Sequence, residues 1–134
     1  MSQANSKSDR LGYAGDLTPK QAWQLHTSGV AEIIDVRTKR ELQRVGYVAS
    51  SINIEWLRDQ DMKPNTHFLS ELQGEAGKDA VLLFLCRSGK RSVAAAQAAT
   101  FAGYLQAFNV LEGFEGDGNP ATGWIKHNLP RVKA

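Results

Sequence analysis

The sequence predicts an α/β domain in which a mostly parallel central sheet lies between layers of helices, and three observations predict it. Six consecutive apolar residues, Ala80-Val81-Leu82-Leu83-Phe84-Leu85, run without alternation, the pattern of a strand buried on both faces of a parallel sheet. Short segments rich in β-branched residues alternate with segments that carry helix-entry and helix-exit residues. The chain has 134 residues, 42% hydrophobic and 22% charged, which suits one globular domain with one core.

The elements follow in order. Residues 1–11 hold four Ser or Asn and little to bury, so they read as a flexible tail, with residues 12–134 as the single domain. Thr18-Pro19 is a helix entrance: Thr18 caps, and Pro19 occupies the first helical position, where a missing N–H costs nothing. Ala22, Leu25 and His26 share one face of that helix, which stops at Ser28-Gly29. Glu32 to Val36 is a β-branched strand. Lys39 to Val45 is a short helix closed by Gly46, and Ile52 to Ile54 a second strand. Phe68 to Glu75 is a helix ended by Gly74 and Gly77, before the central strand at 80–85. Arg91 to Ala102 is an Ala-rich helix, uncharged after Arg91 and so expected to be mostly buried, with Gly103 closing it in a left-handed conformation. Ala107 to Leu111 is the last strand. A Gly-rich loop and a short helix around Trp124 to Asn128 complete the chain.

Composition excludes several classes. Sixteen Lys and Arg against fourteen Asp and Glu leave a balance of +2, which gives no whole-molecule reason to expect nucleic acid or a membrane surface as partner. The start, MSQANSKSDRLGY, is polar and lacks the roughly 7–15-residue apolar core of a secretory signal, and no segment approaches the length of a membrane span. A cytoplasmic location is expected. One cysteine cannot form an internal disulfide, and a reducing compartment keeps it free.

The chemistry lies in Cys86-Arg87-Ser88-Gly89-Lys90-Arg91-Ser92, which starts where the central strand ends and finishes where the Ala-rich helix begins. Open α/β sheets place their ligand sites at such junctions. A compact loop entering a helix can aim several N–H groups at one point and favours an anion there. The same field, with the cations of Arg87, Lys90 and Arg91, favours thiolate on Cys86, the nucleophilic form. Attack of that thiolate on a sulfane sulfur leaves a persulfide, an anion one atom longer that the same amides can hold.

The string CRSGKRS resembles the active-site loop of the rhodanese-like domains. A second stretch, Ile33-Ile34-Asp35-Val36-Arg37 with Glu41, Gly46-Tyr47-Val48 and Ile52-Asn53-Ile54, is similar to that family's N-terminal motif. Asn109-Val110-Leu111-Glu112-Gly113, Trp124 and Leu129-Pro130 extend the likeness, which spans roughly Thr18 to Pro130. It departs from the family at Gly46-Tyr47-Val48, where Gly-His-Ile is usual, at Ala49-Ser50-Ser51 in place of Pro-Gly-Ala, and at Gly113-Phe114 in place of Gly-Gly. Glu115 to Thr122 also forms an extended loop, which bears on partner choice. The resemblance implies a three-layer sandwich with a mostly parallel sheet of about five strands and helices on both faces. It implies a sulfurtransferase of the thiosulfate type, moving sulfur to cyanide or a thiol through a Cys86 persulfide, with no metal and no organic cofactor. Small sulfur-containing anions are the expected partners, with a protein or thiol as a further candidate acceptor. A catalytically inert binding module and a phosphatase or arsenate reductase of the same fold are the alternatives. Cys86 and Arg91 bound a six-residue loop, one residue shorter than the Cys-x5-Arg of the related phosphatases, and the tighter ring suits a single sulfur atom over a tetrahedral oxyanion.

Each residue then has an expected role. Cys86 carries sulfur. Arg87 and Lys90 face solvent and meet the anionic end of a donor, while Ser88 and Gly89 shape the loop, Gly89 through a positive φ that a side chain would obstruct. Arg91 either reaches the substrate or turns inward to Asp35 or Glu41, the inward role being favoured. Ser92 is a cap or a brace. Asp35, Arg37 and Glu41 form a structural ion cluster under the loop. His26, His67 and His127 lack metal-ligand spacing. Gly89-Lys90 is no phosphate-binding P-loop, because Phe84 stands where Gly is needed and Arg91 where Ser or Thr is needed. Gly113, Gly116 and Gly118 read as a turn, and Trp23, Trp56 and Trp124 as core or rim packing.

Overall fold

The computed structural model describes residues 11–133. Of the tail expected over residues 1–11, all but Leu11 therefore lies outside the described residues. Leu11 packs against the core, and its carbonyl accepts a hydrogen bond from the Gln97 side chain.

Five strands, β1 (Gly15–Leu17), β2 (Ala31–Asp35), β3 (Ile52–Asn53), β4 (Val81–Leu85) and β5 (Ala107–Val110), form one sheet in the order β1-β5-β4-β2-β3. Every pair is parallel. Among the described residues the helices are α1 (Pro19–Thr27), α2 (Lys39–Val45), α3 (Phe68–Glu75) and α4 (Arg91–Phe101). The continuous apolar run sits at the centre as β4, flanked by β2 and β5. Leu82 to Leu85 are fully buried, each worth roughly 1.5–3 kcal/mol of apolar burial.

The pleat sends alternate residues of β4 into two cores. Leu82 and Phe84, followed by Cys86, face α3 and α4, where Phe68, Leu72, Ala95, Ala96 and Ala99 are buried. Leu83 and Leu85 face the other layer, built from Ala22 of α1 with Val48, Phe114 and Trp124. Strand β5 alternates likewise: Ala107 belongs to the α4 side and Val110 to the α1 side, so Asn109 shares the face of Ala107. The register sets Asp16 of β1 beside Asn109.

Local chemistry explains the helix ends. Thr18 caps α1 and accepts the Gln21 N–H, while the Gln21 side chain returns to the Thr18 N–H, with Pro19 at the first position. Thr38 and Glu41 make the same reciprocal box for α2. Two orphan donors are satisfied at each entrance. Gly46 follows α2 at φ +102, and a Cβ there would meet the Val132 carbonyl oxygen, so only glycine lets the C-terminal segment bridge to Tyr47.

The structure departs from the sequence expectations in several places. The strand read over 32–36 is displaced by one residue, to 31–35, and the last strand stops at Val110. β1, which the sequence reading did not separate from the helix entrance, exists through its pairing with β5. The helix expected over Trp124 to Asn128 is a single turn: the His127 N–H reaches the Gly123 carbonyl, then Asn128 adopts φ 58 and the chain leaves. Finally, α4 is buried on one face only, through Ser92, Ala95, Ala96 and Ala99, and its last residue, Phe101, is 95% exposed. Absence of charge marks small side chains here, not burial all round.

Candidate active site at the end of the central strand

The pleat that directs Phe84 toward α4 directs Cys86 the same way, so its sulfur lies beneath the N-terminal turn of that helix. The Gly89 N–H donates to Cys86 Sγ at 3.1 Å, and the Ser92 hydroxyl lies 3.3 Å from the sulfur. Several N–H groups were expected to converge on sulfur; among the described residues, the hydrogen-bonded backbone donor is that of Gly89. Cys86 itself is 1% exposed. Arg87 and Lys90 form the exposed part of the loop, with Ser88, Gly89 and Arg91 half-buried. Gly89 does adopt φ +102, but a Cβ there would stand at an ordinary 3.5 Å from the Glu112 nitrogen. Backbone conformation, not obstruction, is what asks for glycine at this position.

The segment after β5 holds the loop from the other side. The Phe114 N–H donates to the Cys86 carbonyl at 2.8 Å and the Glu115 N–H to the Arg87 carbonyl at 2.9 Å. Gly113, read from sequence as part of a turn, lies at φ +69, and a Cβ on it would lie 2.3 Å from the Arg87 oxygen. That close approach is the signal behind the glycine. The loop from Glu115 to Thr122 is also tied down, because the Gly123 N–H and the His127 ring both bond Glu112 Oε1, each at 2.9 Å.

The charged residues form two pairs where a single cluster was expected. Arg37 and Asp35 are fully buried and meet at 2.7 Å. Arg37 also donates to the Gly46 carbonyl at 3.0 Å, and its guanidinium lies 4.0 Å over the Phe114 ring. The pair thus supports the residue that holds the Cys86 carbonyl. Its Nη1 lacks a hydrogen-bond partner, and the stacking on Phe114 is what this guanidinium has in addition.

Glu41 belongs with Arg91. The two make a bidentate pair, both bonds 2.8 Å, so Arg91 turns inward. Burial alone would raise the Glu41 carboxyl, but the Arg91 hydrogen bonds, the Thr38 N–H, the Arg91 charge and the Thr38 hydroxyl outweigh it and bring the pKa down to about 2. Arg91 is raised further above its ordinary value, chiefly by hydrogen bonding to Glu41. Burial opposes that rise, while the charges of Glu41, Cys86 and Asp35 add to it. Arg87 carries its own counter-charge: its Nε stands 3.4 Å from Glu115 Oε2. Two of the three loop cations therefore have carboxylate partners. A cleft of about 280 Å³ opens beside the loop, with Arg40, Arg44, Asp59, Glu41 and Arg87 in its wall.

Ser92 is fully buried. It is not the helix cap, a position held by Lys90 without a side-chain bond; it is a brace, donating to Asn109 Oδ1 at 2.6 Å. Asn109 donates in turn to Asp16 Oδ1 at 3.1 Å, and the Tyr13 hydroxyl donates to the same oxygen at 2.8 Å. Sequence reasoning missed Asn109, Asp16 and Tyr13. A polar residue inside the strand run Ala107 to Leu111 was the available signal.

A parallel sheet whose central strand delivers one cysteine into a tight loop that opens a helix defines a class of cysteine-loop α/β domains. The chain belongs to the rhodanese-like domain family, whose model matches residues 18–118. Its structure is similar to that of Rv0390 from M. tuberculosis, with 40% identity and a TM-score of 0.80 over 91% of this chain and 99% of that one. An uncharacterized protein of Rickettsia conorii is 39% identical across 75% of this chain and 81% of its own length. A rhodanese domain-containing protein of Drosophila melanogaster is 37% identical across 54% and 68%. No helix among the described residues is long and apolar enough to cross a membrane.

Proposed function

We propose that this protein is a sulfurtransferase that carries sulfane sulfur on Cys86, with thiosulfate as a small-molecule donor and cyanide or a thiol as acceptor. The observation that carries this reading is the Gly89 N–H directed at Cys86 Sγ within a six-residue loop opening α4. An amide held in that position stabilises negative charge on sulfur before and after transfer, without reorganisation during the reaction. The thiolate attacks the outer sulfur of thiosulfate; the S–S bond of the donor breaks, its electron pair leaves with sulfite, and Cys86 becomes a persulfide anion. Cyanide then attacks the terminal sulfur, giving thiocyanate and the original thiolate. Charge and atoms balance in both steps, and no metal or organic cofactor takes part.

Arg87 and Lys90, on the exposed side of the loop, meet the sulfonate end of the donor, and Arg91 with Glu41 holds the loop's far end. The tight ring supports sulfur over phosphate or arsenate, whose tetrahedral groups need a wider cradle. A cytoplasmic location accords with a free thiol as the working group.

The test is intact-mass spectrometry after incubation with thiosulfate, together with a thiocyanate assay. Wild type should gain one sulfur atom and release thiocyanate with cyanide, and Cys86→Ala should do neither. Absence of loading from both thiosulfate and a protein persulfide would leave the inert binding module as the correct reading. Phosphatase turnover without loading would favour the alternative chemistry of the fold.

A further inference from the structure

We propose that Asn109 and Asp16 are positioning residues that fix the direction of the Ser92 hydroxyl and thereby restrain the reactivity of the Cys86 sulfur. This deepens the function proposed above and rests on Cys86 as its sulfur carrier. An ionised Asp16 carboxylate can only accept, and it accepts from the Tyr13 hydroxyl and from Asn109 Nδ2. Tyr13 keeps its proton, since burial, its bond to Asp16 and the Asp16 charge push its pKa up to about 12. With its NH₂ turned to Asp16, Asn109 must present its carbonyl oxygen to Ser92. The Ser92 hydroxyl has one proton, and that proton goes to Asn109 Oδ1 at 2.6 Å. Toward Cys86 Sγ, 3.3 Å away, Ser92 then offers only lone pairs.

The consequence is directional. A Cys86 thiol can donate to Ser92, whereas a thiolate, or a sulfur that has lost its proton on loading, faces lone pair against lone pair unless the hydroxyl swings away from Asn109. Gly89 N–H and the charge of Arg91, itself held by Glu41, favour the anion from the other side. The string from Tyr13 opposes them, so negative charge on the Cys86 sulfur is restrained and its attack on electrophiles is slowed. The register explains why three elements are needed: Asp16 and Asn109 are paired residues of β1 and β5, on the face that meets α4.

The test is the rate of iodoacetamide alkylation of the single cysteine at neutral pH, followed by intact mass, with circular dichroism confirming that each variant is folded. Asn109→Leu frees the Ser92 proton to point at sulfur and should speed alkylation about tenfold. Asp16→Asn, which lets the Asn109 amide turn over, should shift the rate in the same direction and serves where Asn109→Leu does not fold. In a Ser92→Ala background neither substitution should change the rate by more than about twofold. Unchanged or slower alkylation in both single variants, or equal acceleration with and without Ser92, would overturn the proposal. Alkylation needs no sulfur donor, so a protein that takes up no sulfur from thiosulfate still answers this question.

Discussion

Replacing Glu41 by Gln tests how the loop's far end is held. The substitution retains a side chain that can accept from Thr38 at the entrance of α2, but it removes the charge that Arg91 grips through two bonds of 2.8 Å. In the folded protein the Glu41 carboxyl lies at about 2 against an ordinary 4.5. A shift of that size corresponds to roughly 3 kcal/mol favouring the ionised folded form. A carboxyl whose folded value lies below its unfolded one stabilises the fold fully above the unfolded value, and that contribution disappears as the pH falls through the folded one. The difference between wild type and Glu41→Gln should therefore be roughly 3 kcal/mol at pH 7, fall to about 1 kcal/mol at pH 3 and nearly vanish by pH 2. Urea unfolding followed by tryptophan fluorescence at each pH measures it, and the difference between the two proteins cancels the titration of the other carboxylates. Two parallel stability curves, equally separated from pH 7 to pH 2, would refute the reasoning.

Two further substitutions probe the supports under the loop. Asp35→Asn leaves the fully buried Arg37 guanidinium without its counter-charge, and chemical denaturation should show a loss of about 3–5 kcal/mol. Gly113→Ala puts a methyl group 2.3 Å from the Arg87 carbonyl oxygen at a positive φ, so the loop backbone must move. Thermal unfolding should fall by several degrees, and sulfur loading of Cys86 should drop more than the loss of stability alone accounts for.

Much of this fold could be read from the chain because its signals are local. Thr18-Pro19 and Gly46 fix helix ends through capping and backbone preference, and both helices they bound appear as read. The run at 80–85 announces a strand buried on two faces, and the position of Cys86 follows from the pleat. β1 was illegible for the opposite reason: three residues carry no periodicity, and their strand character comes from pairing with β5, more than ninety positions away. The turn at Trp124 to Asn128 misled because an apolar periodicity of one turn does not separate a helix from a folded loop, and Gly123 with Asn128 decided the matter. At the site, Arg91's inward turn was legible as the favoured of two readings. The partition into an Asp35–Arg37 pair and a Glu41–Arg91 pair was not, since three charged residues close in sequence say nothing of which way each turns. Asn109 and Asp16 were missed because their importance lies in a hydrogen-bond direction that only the sheet register creates.

The loop's charge is smaller than its sequence suggests, and this bears on the choice of donor. Arg87, Lys90 and Arg91 sum to three positive charges, but Glu41 and Glu115 offset two of them. Arg91 is the deeper of the paired cations, while Arg87 is 63% exposed and its bond to Glu115, 3.4 Å long, is of the weak surface kind. An anionic donor approaching Arg87 must compete with Glu115, which is anchored beside it by its own N–H on the Arg87 carbonyl. Glu115→Gln leaves that backbone bond in place and removes the competitor, so in the proposed sulfur transfer the KM for thiosulfate should fall about two- to fivefold at low ionic strength, with kcat little changed. The gain should shrink as salt is added, because the interaction lies at an exposed surface. A KM that does not respond to the substitution at low salt would mean that the donor never meets Arg87, and that the anion is received instead on the side of the loop where Lys90 stands.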